Sequence, residues 1–153
     1  MISLDDLASP INPLVTALLR SPLHVVASKG LLLLSWSGRR SGRTFRIPVG
    51  YQRDGQAVIV MISKPSEKTW WKNFRSAWPA ELTIRGRVLD AMGEWLEPGS
   101  PEFFERVETT LRRLPWMGRQ FGIHYRRGQT LGDEQRAGLM RKCGVVRFEL
   151  MDR

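Results

Sequence analysis

Residues Leu31 to Ile62 read LLLLSWSGRRSGRTFRIPVGYQRDGQAVIVMI, and this stretch decides the fold. The apolar run Leu31–Trp36 predicts a buried strand. Apolar residues alternate with other residues along Thr44–Tyr51, which predicts a second strand with two different faces. Asp54-Gly55 is typical of a hairpin turn, and Ala57–Ile62 is apolar on both faces, as expected of a buried third strand. Three consecutive strands joined by short turns predict an antiparallel meander rather than a βαβ unit.

The rest of the chain shows both helix and strand signals. Capping residues set the helix limits, as Ser100 before Pro101 illustrates for the longest helix. The further predicted elements are a helix over Pro10–Arg20, a helix over Glu67–Ser76 with Ser66 as N-cap, strands over Glu81–Arg85 and Arg87–Leu96 turned at Gly86, a helix from Ser100-Pro101 to Pro115, an irregular segment over Trp116–Gly132, a helix over Asp133–Lys142 ended by Gly144, and a strand over Val145–Leu150. Six strands with helices inserted late predict an α+β fold, a closed or half-closed antiparallel barrel, in one domain over residues 1–153.

The composition restricts the classes of function. A net charge of +9 over 153 residues predicts an anionic partner. One cysteine and two distant histidines exclude a disulfide framework and predict no metal site. The acidic start predicts no signal peptide, and no apolar run approaches the roughly 20 residues of a membrane span. We therefore expect a cytoplasmic protein whose Pro10–Arg20 helix packs on its own domain, with a membrane surface or a partner as the alternative.

The strongest functional signal is the segment Ser37–Arg46, which carries four arginines and forms a basic turn, Gly38–Arg43, between the first two strands. Its two glycines permit close approach of a ligand to the backbone. Guanidinium groups and free backbone N–H groups together bind phosphate well. A second turn, Ser63–Ser66, leads from the third strand into a predicted helix. It predicts another anion-binding position, with Lys64 and Lys68 adding charge. These features favour a phosphorylated small molecule first and nucleic acid second.

The second strand offers room for a flat ring, because Arg46, Pro48 and Gly50 share a face with little side-chain bulk. Catalytic triads, paired carboxylates and phosphate-binding loops are missing from the sequence. A site with few catalytic side chains suits a bound redox cofactor that brings its own chemistry. The candidates for acid–base work are Tyr51, Ser63, His124 and Tyr125, and His124 is more simply explained as a surface or hydrogen-bonded residue.

Five motifs follow one another along the chain: Leu34–Arg43, Arg46–Tyr51, Arg53–Gly55, Ser63-Lys64 and Trp70–Asn73. In order and spacing they resemble the deazaflavin-dependent nitroreductase family, the B-type branch of the flavin/deazaflavin oxidoreductases. The resemblance implies a split β-barrel related to the pyridoxamine-phosphate-oxidase-like FMN-binding fold, which agrees with the predicted barrel. It also implies a homodimer and coenzyme F420, a phosphorylated deazaflavin with an acidic oligoglutamate tail.

The resemblance further implies which residues bind the cofactor. The phosphate and tail carboxylates would be held by Gly38, Arg39, Arg40, Ser41 and Gly42 of the basic turn. The ring would be lined by Arg46, Ile47, Pro48 and Val49 of the second strand. The phosphate or ring edge would be met by Ile62, Ser63 and Lys64 at the end of the third strand, and the pocket would be closed by Lys68, Trp71 and Asn73 of the next helix.

The expected reaction is hydride transfer from reduced F420 to an electron-poor, apolar or aromatic acceptor such as a quinone, a nitroaromatic or an activated alkene. Tyr51, Ser63 or Tyr125 would supply the accompanying proton. An FMN-dependent reductase and a non-catalytic carrier of a cofactor, haem or fatty acid on the same barrel are the alternatives. A nucleic-acid-binding module is disfavoured, because Trp36, Trp70 and Trp71 occur in apolar contexts that suit a core.

Overall fold

A single antiparallel sheet of seven strands dominates residues 30–151, which are the residues that the computed structural model describes. The strands are β1 (Leu31–Ser37), β2 (Thr44–Gly50), β3 (Gln52–Asp54), β4 (Ala57–Ser63), β5 (Trp78–Ile84), β6 (Arg87–Leu96) and β7 (Cys143–Leu150). Their order in the sheet is β2-β1-β5-β6-β7-β4-β3, so the two edge strands are consecutive in the chain. Because Tyr51 alone separates β2 from β3, the chain joins both edges and the sheet curls into a half-barrel. The predicted α+β split barrel is confirmed.

The strand order corrects the predicted meander. β1 pairs with β2 over its whole length, with Leu31 opposite Gly50 and Ser37 opposite Thr44, as expected of the first hairpin. β4, however, pairs with β3 and β7 and not with β2. The reason is that the chain bends at Tyr51 and begins a new hairpin. That hairpin adds the short strand β3, so the sheet has one strand more than the six predicted.

The β4 strand separates two hydrophobic clusters, because its successive side chains point to opposite faces of the sheet. Val58, Val60 and Ile62 belong to the cluster inside the barrel, whereas Ala57 and Ile59 belong to the cluster beneath the helices. Both faces of this strand are therefore buried, as its continuous apolar run predicts. The largest side chains inside the barrel are aromatic: Trp36, Trp70, Phe74 and Phe148.

Two α-helices, α1 (Pro101–Arg113) and α2 (Asp133–Lys142), cover the second cluster. The predicted start of α1 is confirmed, since the Ser100 hydroxyl accepts a hydrogen bond from the Phe103 N–H at 3.2 Å. The bounds of α2 are also as predicted, although Gly144 does not end it. Cys143 is already extended, and β7 follows directly.

Between the two α-helices, the segment predicted to be irregular contains a 3-10 helix over Pro115–Phe121. The helix predicted over Pro10–Arg20 lies outside the described residues. In the part of the chain from residue 30 to residue 151, no helix is both long enough and apolar enough to cross a membrane.

The helix predicted over Glu67–Ser76 is wrong. Two short 3-10 turns, Pro65–Glu67 and Trp70–Phe74, occupy its place. They are separated by Lys68, whose backbone is extended at φ −121° and ψ 153°. Lys68 is buried, and its Nζ donates a hydrogen bond to the Ser63 carbonyl oxygen at 2.6 Å. This anchoring of a buried side chain overrides the local preference for a continuous helix.

An ion-pair network joins α1 to the sheet. Arg147 of β7 donates hydrogen bonds to both carboxylate oxygens of Glu102 and, at 3.2 Å, to Glu94. Arg106 lies 3.5 Å from Glu102 and 3.1 Å from Asp54. Burial alone would raise the pKa of Glu102, but the hydrogen bond and charge of Arg147, assisted by Arg106, hold that pKa below its ordinary value of 4.5.

We expect this network to fail in acid. A carboxyl whose folded-state pKa is lowered stabilises the protein fully above its ordinary pKa, and the contribution disappears as the pH falls through the lowered value. Glu102→Gln should therefore cost about 1 kcal/mol near neutral pH, because the site is partly solvent-screened. Thermal melts of the wild type and the variant should converge well below pH 4.5. An equally large difference in strong acid would contradict this account.

Candidate functional site

A cavity of about 680 Å³ opens between the basic turn and the second 3-10 turn. We call it the basic cavity; its lining residues are Gly38, Arg39, Arg40, Ser41, Phe45, Thr69, Lys72, Asn73, Arg75 and Ser76. Four of these residues are cationic and none is acidic. A concave surface with charge of one sign attracts a ligand of the opposite sign. The lining therefore suits an anion, and it unites five of the residues predicted to bind the cofactor.

Hydrogen bonds within the basic turn fix its shape. The Gly38 N–H donates to the Arg43 carbonyl oxygen at 2.8 Å, and the Gly42 N–H donates to the Gly38 carbonyl oxygen at 2.9 Å. Gly42 has a φ of 69°, which glycine adopts without strain. The Arg43 N–H donates to Ser41 Oγ at 3.2 Å. Among the described residues, the N–H groups of Arg40 and Ser41 are the ones in this turn that lack a partner, so fewer N–H groups face a ligand than the sequence suggested.

Arg39 contacts the protein itself, whereas the sequence predicts that it binds phosphate. Its backbone N–H donates to Asn73 Oδ1 at 3.1 Å, and its Nε donates to the Asn73 carbonyl oxygen at 2.6 Å. Its Nη2 donates to the carbonyl oxygens of Ser76 and Ala77 at 2.7 and 3.0 Å. The guanidinium carbon also lies 4.2 Å from the ring centroid of Trp78. Arg39 thus holds the two walls of the basic cavity together.

Two further predicted residues, Asn73 and Trp71, are also engaged by the protein. Asn73 uses its Oδ1 for the basic turn and its Nδ2 for the Trp70 carbonyl oxygen, at 2.9 Å. The Trp71 indole donates to the Pro65 carbonyl oxygen at 2.8 Å and stacks on Trp95 with ring centroids 4.1 Å apart. Asn73 lines the basic cavity and Trp71 does not. Both residues shape the wall that carries the second 3-10 turn.

The sequence analysis missed Phe45, Thr69, Lys72, Arg75 and Ser76, which complete the lining. Lys72 and Arg75 add two of its four cations, and none of the described carboxylates lies within ion-pair distance of either side chain. A signal was present, because two polar residues precede the aromatic anchor Phe74 and two follow it in Trp70–Ser76. In the predicted helix, the face that carries Trp70 and Phe74 was expected to pack in the core, and Lys72 and Arg75 were given no role.

A second cavity, of about 420 Å³, lies on the outer face of β1, β2 and β5. Arg46 lines it together with Ser35 and Glu81, and an adjoining space of about 240 Å³ shares these three residues. Ser37 and Thr44, which flank the basic turn, line it as well. This outer groove therefore begins where the basic turn leaves the sheet, on the strand face predicted to hold a ring.

The remaining residues predicted to bind the cofactor lie outside both linings. Ile47, Val49 and Ile62 have their side chains in the barrel interior, at most 4% exposed. Pro48 is buried opposite Leu33 on β1. Since these side chains pack within the protein, the predicted ring contacts at these positions would be made through the backbone.

The end of β4 holds Ser63 and Lys64, predicted to meet the phosphate or the ring edge. Lys64 has a left-handed backbone, with φ 50°, and its N–H donates to the Lys142 carbonyl oxygen at 3.2 Å. Ser63 accepts the Lys68 hydrogen bond through its carbonyl oxygen. These residues form a turn tied to the end of α2. The helix start that would have provided an anion site is missing, because the predicted helix does not form.

The three predicted proton donors do not converge. Tyr51 packs against the cluster inside the barrel. Tyr125 is 8% exposed and belongs to the cluster beneath the helices, on the other face of the sheet. Ser63 is paired with Cys143 at the end of β4. Their catalytic roles stay predictions.

Comparison with known proteins identifies the family. The family model described as F420H(2)-dependent quinone reductase matches residues 21–114, which is more than half of the chain and includes the whole lining of the basic cavity. No curated protein sequence matches the chain.

Solved structures agree on the fold. The chain is similar to an F420-H2 dependent reductase, FDR-A, at 16% identity, with 79% of this chain and 95% of that chain covered and a TM-score of 0.55. It is similar to a domain-swapped dimer (14% identity, coverage 88% and 98%, TM-score 0.53) and to the haem storage protein HutZ from Vibrio cholerae (12% identity, coverage 88% and 92%, TM-score 0.54). At these identities the similarity shows the fold alone. With the family match, the conclusion is that the chain belongs to the F420H2-dependent quinone reductase family and is an F420-dependent oxidoreductase with coenzyme F420 as its cofactor.

Proposed function

We propose that the chain passes reducing equivalents from reduced F420 to a quinone-type acceptor and holds the anionic part of the cofactor in the basic cavity. The observation that carries the proposed site is its lining of four cations without an acidic residue. F420 bears a phosphate and a tail of carboxylates, so its charges match this donor set. When bound, the reduced deazaflavin supplies the hydride.

Arg40 and Ser41 are the proposed phosphate ligands, because their backbone N–H groups lack partners among the described residues and Arg40 is exposed. Arg39 acts on the ligand indirectly, by holding the basic turn in place. The outer groove beside Arg46 is the proposed ring site, since it adjoins the basic turn on the strand face predicted for a ring. The protein would thus bind and orient the cofactor and exclude water from it.

A quinone acceptor is supported by the family description. Nitroaromatics and activated alkenes are further electron-poor acceptors that the same hydride chemistry would reduce. We propose Tyr51 as the proton source, because it directly follows the strand that carries Arg46 and is only partly buried. Tyr125 is less suited to this role, because it is 8% exposed and packs in the cluster beneath the helices.

We also propose a homodimer. The resemblance stated above implies one, and one of the structures with a similar fold is a domain-swapped dimer. Light scattering of the purified chain tests this point independently of the chemistry.

Steady-state assays of F420H2 oxidation test the proposed reaction. We expect a soluble quinone to give a higher kcat/KM than a nitroaromatic or an activated alkene. Tyr51→Phe should lower kcat by about a hundredfold or more while changing the KM for F420H2 little, because general acid catalysis typically contributes a factor of about 10²–10⁴. Preferred reduction of nitroaromatics would contradict the proposed acceptor. Tight F420 binding without turnover of any acceptor would favour a carrier.

A further inference from the structure

We infer that Trp78 contacts the deazaflavin ring of F420 and joins the ring site to the phosphate site. This inference deepens the proposed function and rests on it, because it takes the ring to lie in the outer groove and the phosphate in the basic cavity. Trp78 lies outside the five sequence motifs, so they assign it no role.

The position of Trp78 lets it reach both sites. It is the first residue of β5, and its indole Nε1 donates a hydrogen bond to the Ser37 carbonyl oxygen at 2.7 Å. Ser37 ends β1, directly before the basic turn. The half-buried Trp78 side chain packs against the cluster inside the barrel, and the residue also lines the outer groove. Trp78 therefore lies where the outer groove meets the basic turn.

Trp78 is the accessible aromatic residue of the outer groove. Among the described residues that line this groove, two are aromatic, and the other one, Trp36, is 5% exposed and belongs to the barrel interior. An aromatic face is a favourable surface for a flat heterocyclic ring. Because the Trp78 Nε1 is already bonded to Ser37, the side chain offers a ligand its aromatic surface rather than a hydrogen bond.

Trp78 also supports the phosphate site, through Arg39. The Arg39 guanidinium carbon lies 4.2 Å from the Trp78 ring centroid, a distance at which a cation is attracted by an aromatic ring. The Arg39 Nη2 donates to the carbonyl oxygens of Ser76 and Ala77, the two residues before Trp78. Since Arg39 lines the basic cavity and Trp78 lines the outer groove, a ligand that extends from one to the other passes this pair.

Two substitutions at position 78 isolate the contribution of the aromatic face. Trp78→Phe and Trp78→Leu both keep an apolar side chain against the barrel cluster, and both lose the hydrogen bond to Ser37. In fluorescence titrations with oxidised F420, we expect Trp78→Leu to raise Kd about tenfold and Trp78→Phe to raise it less than about threefold. Thermal melts check that each variant folds, and Trp78→Met replaces Trp78→Leu with the same expectation if the latter does not.

The control variant is Trp116→Leu. Trp116 is 60% exposed and lies outside the linings of both cavities, so this variant should bind F420 as the wild type does. A loss of affinity in Trp116→Leu equal to that in Trp78→Leu would show that the effect is not specific to position 78, and the inference would be wrong.

The same substitutions in an Arg39→Ala background separate ring contact from support of Arg39. A contact between Trp78 and the ring persists without Arg39, so Trp78→Leu should still bind F420 about threefold or more weakly than Trp78→Phe in this background. Equal affinities of the two double variants would show that Trp78 acts only through Arg39, which would overturn the inference.

Failure of this inference is distinguishable from failure of the proposed function. If Arg40→Ala weakens F420 binding and Trp78→Leu does not, the phosphate site stands and the ring contact is wrong. If the wild type does not bind F420, or if Arg40→Ala binds it as tightly as the wild type, the proposed placement of the cofactor is wrong and the ring contact falls with it.

Discussion

Arg39→Ala should weaken F420 binding by about tenfold or more, although the wild-type side chain is turned toward the protein. Its three side-chain hydrogen bonds to carbonyl oxygens join the basic turn to residues 73–77. Hydrogen bonds to charged groups contribute about 1.5–3 kcal/mol each where they are buried, and less where they are exposed, as here. Without them the turn would no longer hold Arg40 and Ser41 in position. We therefore expect a rise in Kd together with a fall of a few degrees in Tm.

Two companion variants separate positioning from direct contact. Arg40→Ala should raise Kd comparably and leave Tm unchanged, because Arg40 is exposed and bonded to none of the described carboxylates. Arg39→Lys keeps the charge and loses the guanidinium fork, so its Kd should stay close to that of Arg39→Ala. Wild-type affinity in Arg39→Lys would show that charge rather than geometry matters at this position.

Gly93→Ala should lower the stability of the whole barrel by about 3 kcal/mol or more, the upper range for overpacking a core. A Cβ atom at Gly93 would lie 2.6 Å from ring atoms of both Phe74 and Phe148. Both rings are fully buried and pack edge to face with centroids 5.2 Å apart, so neither has space to move aside. Displacement of Phe74 would also disturb the second 3-10 turn and with it the basic cavity.

Gly138→Ala is the matched control for this variant. Gly138 lies within α2, and a Cβ atom there would meet nothing within 4 Å. Since alanine is favoured over glycine in a helix by up to about 1 kcal/mol, this variant should be slightly stabilised. Thermal melts should place Gly93→Ala roughly 6–12 °C below the wild type. A melting temperature for Gly93→Ala within a degree of the wild type would show that the core around Phe74 is loosely packed.

The elements that depend on local signals could be predicted from the sequence. The alternation along Thr44–Tyr51 identified β2, the Ser100-Pro101 pair identified the start of α1, and the run Ala57–Ile62 identified a strand buried on both faces. The partner of β4 could not be predicted in this way. It depends on the bend at Tyr51 and on β7, about ninety residues along the chain from β4, and local patterns carry no information about such pairing.

The candidate site could likewise be predicted only in part from the sequence. The arginines and glycines of the basic turn predicted an anion site, and five of the residues predicted to bind the cofactor do line one cavity. The binding partner of the Arg39 side chain could not be predicted from the sequence, because a guanidinium group can donate hydrogen bonds to backbone carbonyls as well as to phosphate. Lys72 and Arg75 were missed for a related reason. Their place in the cavity lining follows from a 3-10 turn whose orientation depends on the tertiary packing of Phe74 in the barrel interior.

The central claim is that the basic cavity binds F420, and its most direct test is a fluorescence titration with oxidised F420, FMN and haem at physiological salt. We predict selective binding of F420 with micromolar or tighter affinity, weakened about tenfold in Arg40→Ala. Arg87→Ala, which removes an exposed arginine at the start of β6 outside the cavity, should leave it unchanged. Tighter binding of FMN or haem, or equal affinities in the wild type and Arg40→Ala, would contradict the account.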